Sequence, residues 1–223
     1  WYVCLHSKLT NTMAIGVAVG DSPTGPFKDA IGRPLYEGSW DFIDPTVFVD
    51  DDGQAYLYWG NPNVYYAKLN ADMVSLDGEV SKVEQTIESF GSPGPDKREK
   101  GKKYKDIYTE GPWLHKRGGT YYLSYAAGGV PEHIAYSMSD TPTGPWKYMG
   151  EIMPLQNTGS FTNHCGVTEY KGHNYFFYHT GKLPGGGGFG RSAAVEEFKY
   201  NADGSYPIIN ATQKGVDPIG TLN

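Results

Sequence analysis

Short apolar runs alternate with turns containing Gly or Pro along the whole chain, and one pattern occurs three times. In each copy a polar residue precedes a short apolar run, a tight turn follows, and a second run rich in aromatic residues comes next. Runs of this length, bounded by turn residues, are typical of β-hairpins. Because Gly and Pro interrupt nearly every longer stretch, the pattern predicts only one short helical turn, within residues 81–89.

The three hairpins share one register. In each copy the polar residue stands equally far before the glycine of the turn, and these pairs are Asp44 and Gly53, Glu110 and Gly119, and Asn163 and Gly172. Further strand-like runs follow the hairpins, and two of them end in the same turn, Pro-Thr-Gly-Pro followed by an aromatic residue. The unit is therefore four antiparallel strands that recur about every 50 to 65 residues, which is the signature of a β-propeller blade.

The repeat divides the chain into blade parts at about residues 1–39, 40–107, 108–158 and 159–223. The last three read as complete blades, whereas the first lacks an innermost strand and opens abruptly at Trp1, without a signal peptide. A missing inner strand would leave an unpaired edge at the propeller axis. We therefore expect about three and a half blades in this chain and about one and a half more before Trp1.

Residues at the entrances of the innermost strands should meet at one end of the propeller axis. Asp44, Glu110 and the pair Asn163-His164 hold these places, so we expect the carboxyl groups of Asp44 and Glu110 to lie within roughly 10 Å. A lone Glu beside a Gly-Pro step would most simply be a solvated residue at a strand start. Two carboxylates and a His in one concave site instead favour catalysis, with partial burial raising the pKa of Glu110 toward the range of a general acid.

Composition and charge exclude several classes of function. The 18 Tyr, 9 Phe and 5 Trp favour strands and surfaces that stack on rings. A net charge of -6 argues against a nucleic-acid or anionic-membrane partner. Cys4 and Cys165 lie in apolar contexts and are expected to be buried free thiols rather than a disulfide or a metal site. The basic run at residues 97–105 predicts a solvated loop between blades or, alternatively, an edge of a substrate cleft.

The segments Ile43-Asp-Pro-Thr46 and Thr109-Glu-Gly-Pro112, together with the doubled Pro-Thr-Gly-Pro turn, resemble glycoside hydrolase family 43. The resemblance covers the whole chain and implies an all-β, five-bladed β-propeller. It also implies an inverting glycosidase that releases arabinofuranosyl or xylosyl residues from plant cell-wall polysaccharides such as arabinoxylan and arabinan. A secreted or periplasmic location and a possible C-terminal carbohydrate-binding module are further expectations from the resemblance.

The resemblance assigns roles to the residues at the strand entrances. Glu110 resembles the general acid, and Asp44 resembles the aspartate that tunes the pKa of that acid and orients it. His164 resembles an axial His that holds a central ion or water. No cofactor is required on this interpretation, and a structural calcium on the propeller axis is possible; a His164 packed in the core is the alternative.

Three further residues are expected to contact the sugar. Arg191 resembles an arginine that reaches the sugar pocket of the family, and Trp113 and Phe161 are aromatic candidates for stacking. Trp40 and Trp59 could also stack on sugar rings, although a place in the blade core explains Trp59 equally well.

One departure from the family matters for activity. The family's general base is an Asp in the first blade, and no residue here matches it, although an inverting mechanism needs a base to activate water. We therefore expect residues 1–223 alone to hydrolyse aryl glycosides negligibly, and a catalytically inactive carbohydrate-binding propeller is the alternative function. Fructan-cleaving propellers are disfavoured, because Ile43 and Gly111 stand where those enzymes carry Arg and Cys.

Overall fold

The computed structural model describes residues 1–92 and 107–218, which form four antiparallel sheets arranged as the blades of a β-propeller. Each sheet lies within one of the predicted blade parts. Blade 1 contains β1 (Tyr2–Ser7), β2 (Thr12–Val19), β3 (Lys28–Asp29) and β4 (Tyr36–Glu37). Blade 2 contains β5 (Thr46–Val49), β6 (Ala55–Trp59), β7 (Tyr65–Leu69) and β8 (Leu76–Lys82), followed by the short helix α1 (Ile87–Phe90).

The remaining two sheets lie in the second described range, residues 107–218. Blade 3 contains β9 (Tyr108–Arg117), β10 (Thr120–Ala127), β11 (His133–Ser139) and β12 (Lys147–Met153). Blade 4 contains β13 (Gly166–Tyr170), β14 (His173–Thr180) and β15 (Ser192–Phe198). Strands β5, β9 and β13 are the first strands of their sheets, as the shared register predicts. The count of five blades stays a prediction.

Blade 4 has three strands in the part of the chain that the structure describes, so the prediction of a complete fourth blade part was wrong. After β15 the chain does not return along the sheet. Instead Ile209 donates a backbone hydrogen bond to the carbonyl of Ile152, 2.7 Å away, in the outermost strand of blade 3. The Glu196 carboxylate accepts the backbone N–H of Thr212 at 2.7 Å. These contacts hold the segment after blade 4 against blades 3 and 4 as irregular chain rather than as a fourth strand.

Aromatic side chains fill the space between the blades. All five residues of β6 are buried, since a middle strand is covered by neighbouring blades on both of its faces. Trp59 is fully buried in this strand, which assigns it to the core rather than to sugar stacking. Trp40, in contrast, is exposed.

Two local expectations need correction. Cys4 is exposed on β1, an edge strand of its sheet, rather than buried, whereas Cys165 is partly buried, and both are free thiols. The helical turn is shorter than predicted: β8 extends to Lys82, and only Ile87–Phe90 is helical, with Thr86 as its N-cap.

The basic run at residues 97–105 lies outside the described residues. No helix in the described ranges is long and apolar enough to cross a membrane.

The direction of the strands decides where a site can form. Strands β5, β9 and β13 begin at the same end of the propeller, which we call the entrance face. Because the second strand of each blade is antiparallel to the first, it returns to this face. The entrance face is therefore built from the starts of the first strands and from the connections between second and third strands.

Candidate active site

Asp44, Glu110 and His164 meet at the entrance face. One side-chain nitrogen or oxygen from each residue lies within 4.8 Å of those of the other two. The Nε2 atom of His164 is 2.7 Å from Oε1 of Glu110 and 4.0 Å from Oδ2 of Asp44. The register of the repeat thus brings two carboxylates and an imidazole from three blades into one group.

The backbone around this group is shaped to bring the three side chains close. Asp44 has a φ of 57°, in the left-handed region that non-glycine residues rarely adopt outside special sites. Gly111 has a φ of 61°, and its N–H donates to Oδ2 of Asp44 at 3.2 Å. A Cβ at Gly111 would lie 3.0 Å from the imidazole of His164. Glycine at this position therefore allows the ring to approach Glu110.

Both oxygens of Glu110 accept hydrogen bonds. His164 donates to Oε1, and the side-chain amide of Asn61 donates to Oε2. Burial alone would raise the pKa of Glu110, but the hydrogen bonds and charge of His164 and the amide of Asn61 outweigh burial and lower this pKa. The expectation of a raised pKa was therefore wrong for the ligand-free arrangement, because sequence position did not show these two donors.

The pKa values of the other two members of the group, Asp44 and His164, are raised. Burial, supported by the charge of Glu110, raises the pKa of Asp44 despite the opposing effect of His164. Burial opposes the charged form of His164, yet its hydrogen bond to Glu110 and the charge of Asp44 raise the pKa of this imidazole. The arrangement therefore favours a His164 imidazolium paired with an ionised Glu110.

A further carboxyl group, that of Glu132, lies beside Glu110. Glu132 is in the connection between β10 and β11 and is only 4% exposed. Burial and the neighbouring Glu110 charge raise the pKa of Glu132 to about 7. Its Oε2 accepts the backbone N–H of Asn163 at 2.7 Å, while its buried Oε1 has no hydrogen-bond partner within residues 1–92 and 107–218.

This raised pKa predicts a specific pH dependence of stability. Between pH 4.5, the ordinary pKa of Glu, and about 7, the folded protein binds a proton at Glu132 that the unfolded chain has released. Wild-type stability should therefore be full below pH 4.5 and fall through this window relative to Glu132→Gln, by on the order of 2–3 kcal/mol. Urea unfolding at pH 4.5 and 8 measures this difference. Glu79→Gln, at an exposed position, is the control, and equal pH dependence of wild type and Glu132→Gln would contradict the prediction.

The other predicted site residues are the expected sugar contacts Arg191, Phe161 and Trp113. Arg191 lines a cavity of about 330 Å³ together with His164 and His179, and its charge partly opposes the rise in the pKa of Asp44 that burial causes. Phe161 is 38% exposed and packs edge-to-face against the exposed ring of Phe189, with 5.1 Å between ring centroids. Arg191 thus lines the same cavity as His164, and it donates a hydrogen bond to the hydroxyl of Thr162, the residue after Phe161, at 3.4 Å.

Trp113 occupies a different place. Its indole N–H donates to the carbonyl of Val167 at 3.2 Å, joining the inner strands β9 and β13. Its ring lines a separate cavity of about 620 Å³ together with Trp1, Phe27 and Val47, and that cavity does not include Glu110 or His164. The structure therefore gives Trp113 a packing role between blades, and its expected contact with substrate stays a prediction.

Sequence reasoning missed Asn61, Glu132 and His179. Asn61 and Glu132 come from the connections between second and third strands in blades 2 and 3, and Arg191 comes from the same connection in blade 4. The connections in blades 2 and 3 have five residues each, but Asn61 is the second residue of its connection and Glu132 is the fifth, while the connection in blade 4 has eleven residues. These residues therefore share no fixed spacing. His179, at the end of β14, donates from Nε2 to the carbonyl of Thr162 at 2.8 Å. Burial and the charges of His164 and Arg191 lower the pKa of His179 to about 4.

The group of Asp44, Glu110 and His164 does not have the form of a calcium site. Calcium is bound by six to eight oxygen ligands at about 2.3–2.6 Å. Here one of the three donors is a nitrogen, and this nitrogen is hydrogen-bonded directly to the Glu110 oxygen that would have to face the ion. The calcium expected from the resemblance stays a prediction, and in the structure His164 is hydrogen-bonded to Glu110 while Asp44 accepts the backbone N–H of Gly111.

Comparison with known proteins places this geometry in a family. The family model described as Glycosyl hydrolases family 43 matches residues 1–206. The chain belongs to this family. It is 34% identical over 250 residues to an arabinoxylan arabinofuranohydrolase of Bacillus subtilis (strain 168), a match that covers 94% of this chain and 44% of that protein. It is 31% identical over 231 residues to a beta-xylosidase of Xylanibacter ruminicola, covering 92% of this chain and 69% of that protein.

Solved structures of family 43 proteins have the same fold. A beta-xylosidase/alpha-arabinofuranosidase from a compost microbial metagenome, solved with xylotriose in a calcium-free form, superposes with a TM-score of 0.77 at 30% identity. The match covers 94% of this chain and 69% of that chain. The Bacillus subtilis arabinoxylan arabinofuranohydrolase, solved with cellotetraose, gives a TM-score of 0.74 at 30% identity and covers 99% and 51%. This family 43 chain therefore spans about half to two thirds of these relatives.

Proposed function

We propose that the protein containing this chain is an inverting glycosidase that releases arabinofuranosyl or xylosyl residues from plant cell-wall polysaccharides. The observation that carries the proposal is the group of Asp44, Glu110 and His164 at the entrance face, in which His164 is hydrogen-bonded to Glu110. The names of the relatives, arabinoxylan arabinofuranohydrolase and beta-xylosidase, support the substrate class. Secretion or a periplasmic location, and a carbohydrate-binding module after this chain, belong to the same proposal.

Glu110 acts in this proposal as the general acid for the leaving sugar. Its ionised form in the free site must gain a proton before it can protonate the glycosidic oxygen. The N–H of His164, hydrogen-bonded to Oε1, lies on a direct path for this proton. A bound sugar that excludes water from the site would favour protonated Glu110, because desolvation disfavours the charged carboxylate.

The distance between the carboxylates supports a tuning role for Asp44 rather than the role of base. Inverting glycosidases separate acid and base by about 6.5–9.5 Å to leave room for the attacking water. Oxygen atoms of Asp44 and Glu110 lie within 4.8 Å, which is too close for that arrangement. Asp44 instead contributes a charge that opposes loss of the proton from Glu110.

The anomeric configuration of the first product tests the proposal. Arabinoxylan and nitrophenyl arabinofuranoside are incubated with the intact protein that contains this chain, and ¹H NMR follows the product before mutarotation. We expect release of arabinose or xylose with inverted configuration. Release with retained configuration would contradict the inverting mechanism, and absence of any release would contradict the enzymatic function.

A carbohydrate-binding propeller without catalysis is the second candidate. It is favoured by one observation, that no residue of this chain matches the family's base. Calorimetric titration with xylotriose distinguishes the two functions in the same protein: binding without any product supports this second candidate, whereas turnover excludes it.

A further inference from the structure

Glu132 ties two parts of the entrance face together. Its backbone N–H donates to the carbonyl of Phe161 at 3.0 Å, and its Oε2 accepts the N–H of Asn163 at 2.7 Å. The carboxyl group and Asn163 are each only 4% exposed. The connection between β10 and β11 is thereby fixed at two points to the segment that leads into β13.

The next residue after Asn163 is His164. The imidazole of His164 donates to Oε1 of Glu110 at 2.7 Å. The position of the ring therefore depends on the backbone that Glu132 holds. The chain of contacts runs from Glu132 through the N–H of Asn163 to His164, and from His164 to Glu110.

Holding a loop with a buried carboxyl group costs free energy. Burying it beside another carboxylate is unfavourable, and its Oε1 has no hydrogen-bond partner in the described part of the chain. Blade 2 uses the matching connection in the same way, since Asn61 donates there directly to Oε2 of Glu110. Both connections therefore act on Glu110: Asn61 does so by a direct hydrogen bond, and Glu132 does so both from its place beside Glu110 and through His164.

We propose that Glu132 is a positioning residue of the glycosidase site, which holds Asn163 and thereby places His164 against the acid Glu110. This role rests on the proposed function of Glu110. Glu132 itself touches neither substrate nor the reacting bond. Its removal should therefore weaken proton delivery to the leaving group while leaving sugar binding nearly unchanged.

Two substitutions test this role in the intact protein. Glu132→Leu removes the acceptor for the N–H of Asn163. Glu132→Gln retains an acceptor oxygen on a side chain of the same length. Each variant is assayed on a xylo-oligosaccharide, whose leaving group needs a proton, and on a nitrophenyl glycoside, whose leaving group hardly does. For Glu132→Leu we expect kcat on the oligosaccharide to fall by about tenfold to 10²-fold, with a loss of about threefold or less on the nitrophenyl substrate and little change in KM. Glu132→Gln should recover most of the oligosaccharide rate.

The outcomes separate this role from a structural one and from the proposed function. Equal losses on both substrates, or no recovery in Glu132→Gln, would overturn the positioning role. A wild type without activity on either substrate would overturn the proposed function, and this role with it. Thermal melts identify folded variants. If Glu132→Leu does not fold, Glu132→Asp takes its place, because the shorter side chain keeps the charge but withdraws it from Asn163.

Discussion

Replacing Glu110 by Gln should lower kcat on xylo- and arabino-oligosaccharides by about 10²–10⁴-fold. Gln keeps the size of the side chain and can still accept a hydrogen bond from His164, but it carries no proton for the leaving oxygen. A nitrophenolate leaving group needs little protonation, so the nitrophenyl glycosides should retain far more of their rate. This difference between substrates identifies a general acid.

The measurement compares kcat for both substrate types on the intact protein and on its Glu110→Gln variant. Glu79→Gln makes the same chemical change at an exposed position on β8 and should keep the wild-type rates. Losses of equal size on both substrates would remove Glu110 from the acid role. A substantial loss in the Glu79 control would show that the change in chemistry is not local to the site.

Replacing Gly111 by Ala should lower kcat by at least about tenfold, through displacement of His164. The new Cβ would lie 3.0 Å from the imidazole, which must shift by a few tenths of an ångström and weaken its bond to Glu110. Small misplacements of catalytic groups have large effects on rate. The left-handed φ of 61° adds a destabilisation of roughly 1 kcal/mol for any residue with a Cβ.

Gly118→Ala separates these two effects. Gly118 has a φ of 56° in the turn between β9 and β10, and a Cβ there would meet no atom within 4 Å. Both variants should lose similar stability in thermal melts, but only Gly111→Ala should lose activity. Similar kcat values for the two alanine variants would contradict the argument that Gly111 makes room for His164.

The sequence by itself determined the strands and their register. The local signals are strand length, turn glycines and the repeated Pro-Thr-Gly-Pro. They recur because each blade has the same strand arrangement and packs against its neighbours in the same way. The fixed spacing between an entrance residue and its turn glycine was sufficient to bring Asp44 and Glu110 together, whereas in blade 4 it falls on Asn163, one residue before His164, which joins the group. The same spacing did not show that blade 4 has three strands in the described part of the chain, because that depends on how the segment after β15 packs against blade 3.

The tertiary structure alone decided the electrostatics of the site. Whether the pKa of Glu110 rises or falls depends on Asn61 and His164, which reach it from two other blades. Glu132 is the last of the five residues in its connection, whereas Asn61 is the second of five in the connection of blade 2, so no repeat register points to Glu132. The periodicity of the sequence predicts strands because their geometry is regular. Residues in irregular connections have no such pattern, and their charged groups become neighbours only when the blades pack around the axis.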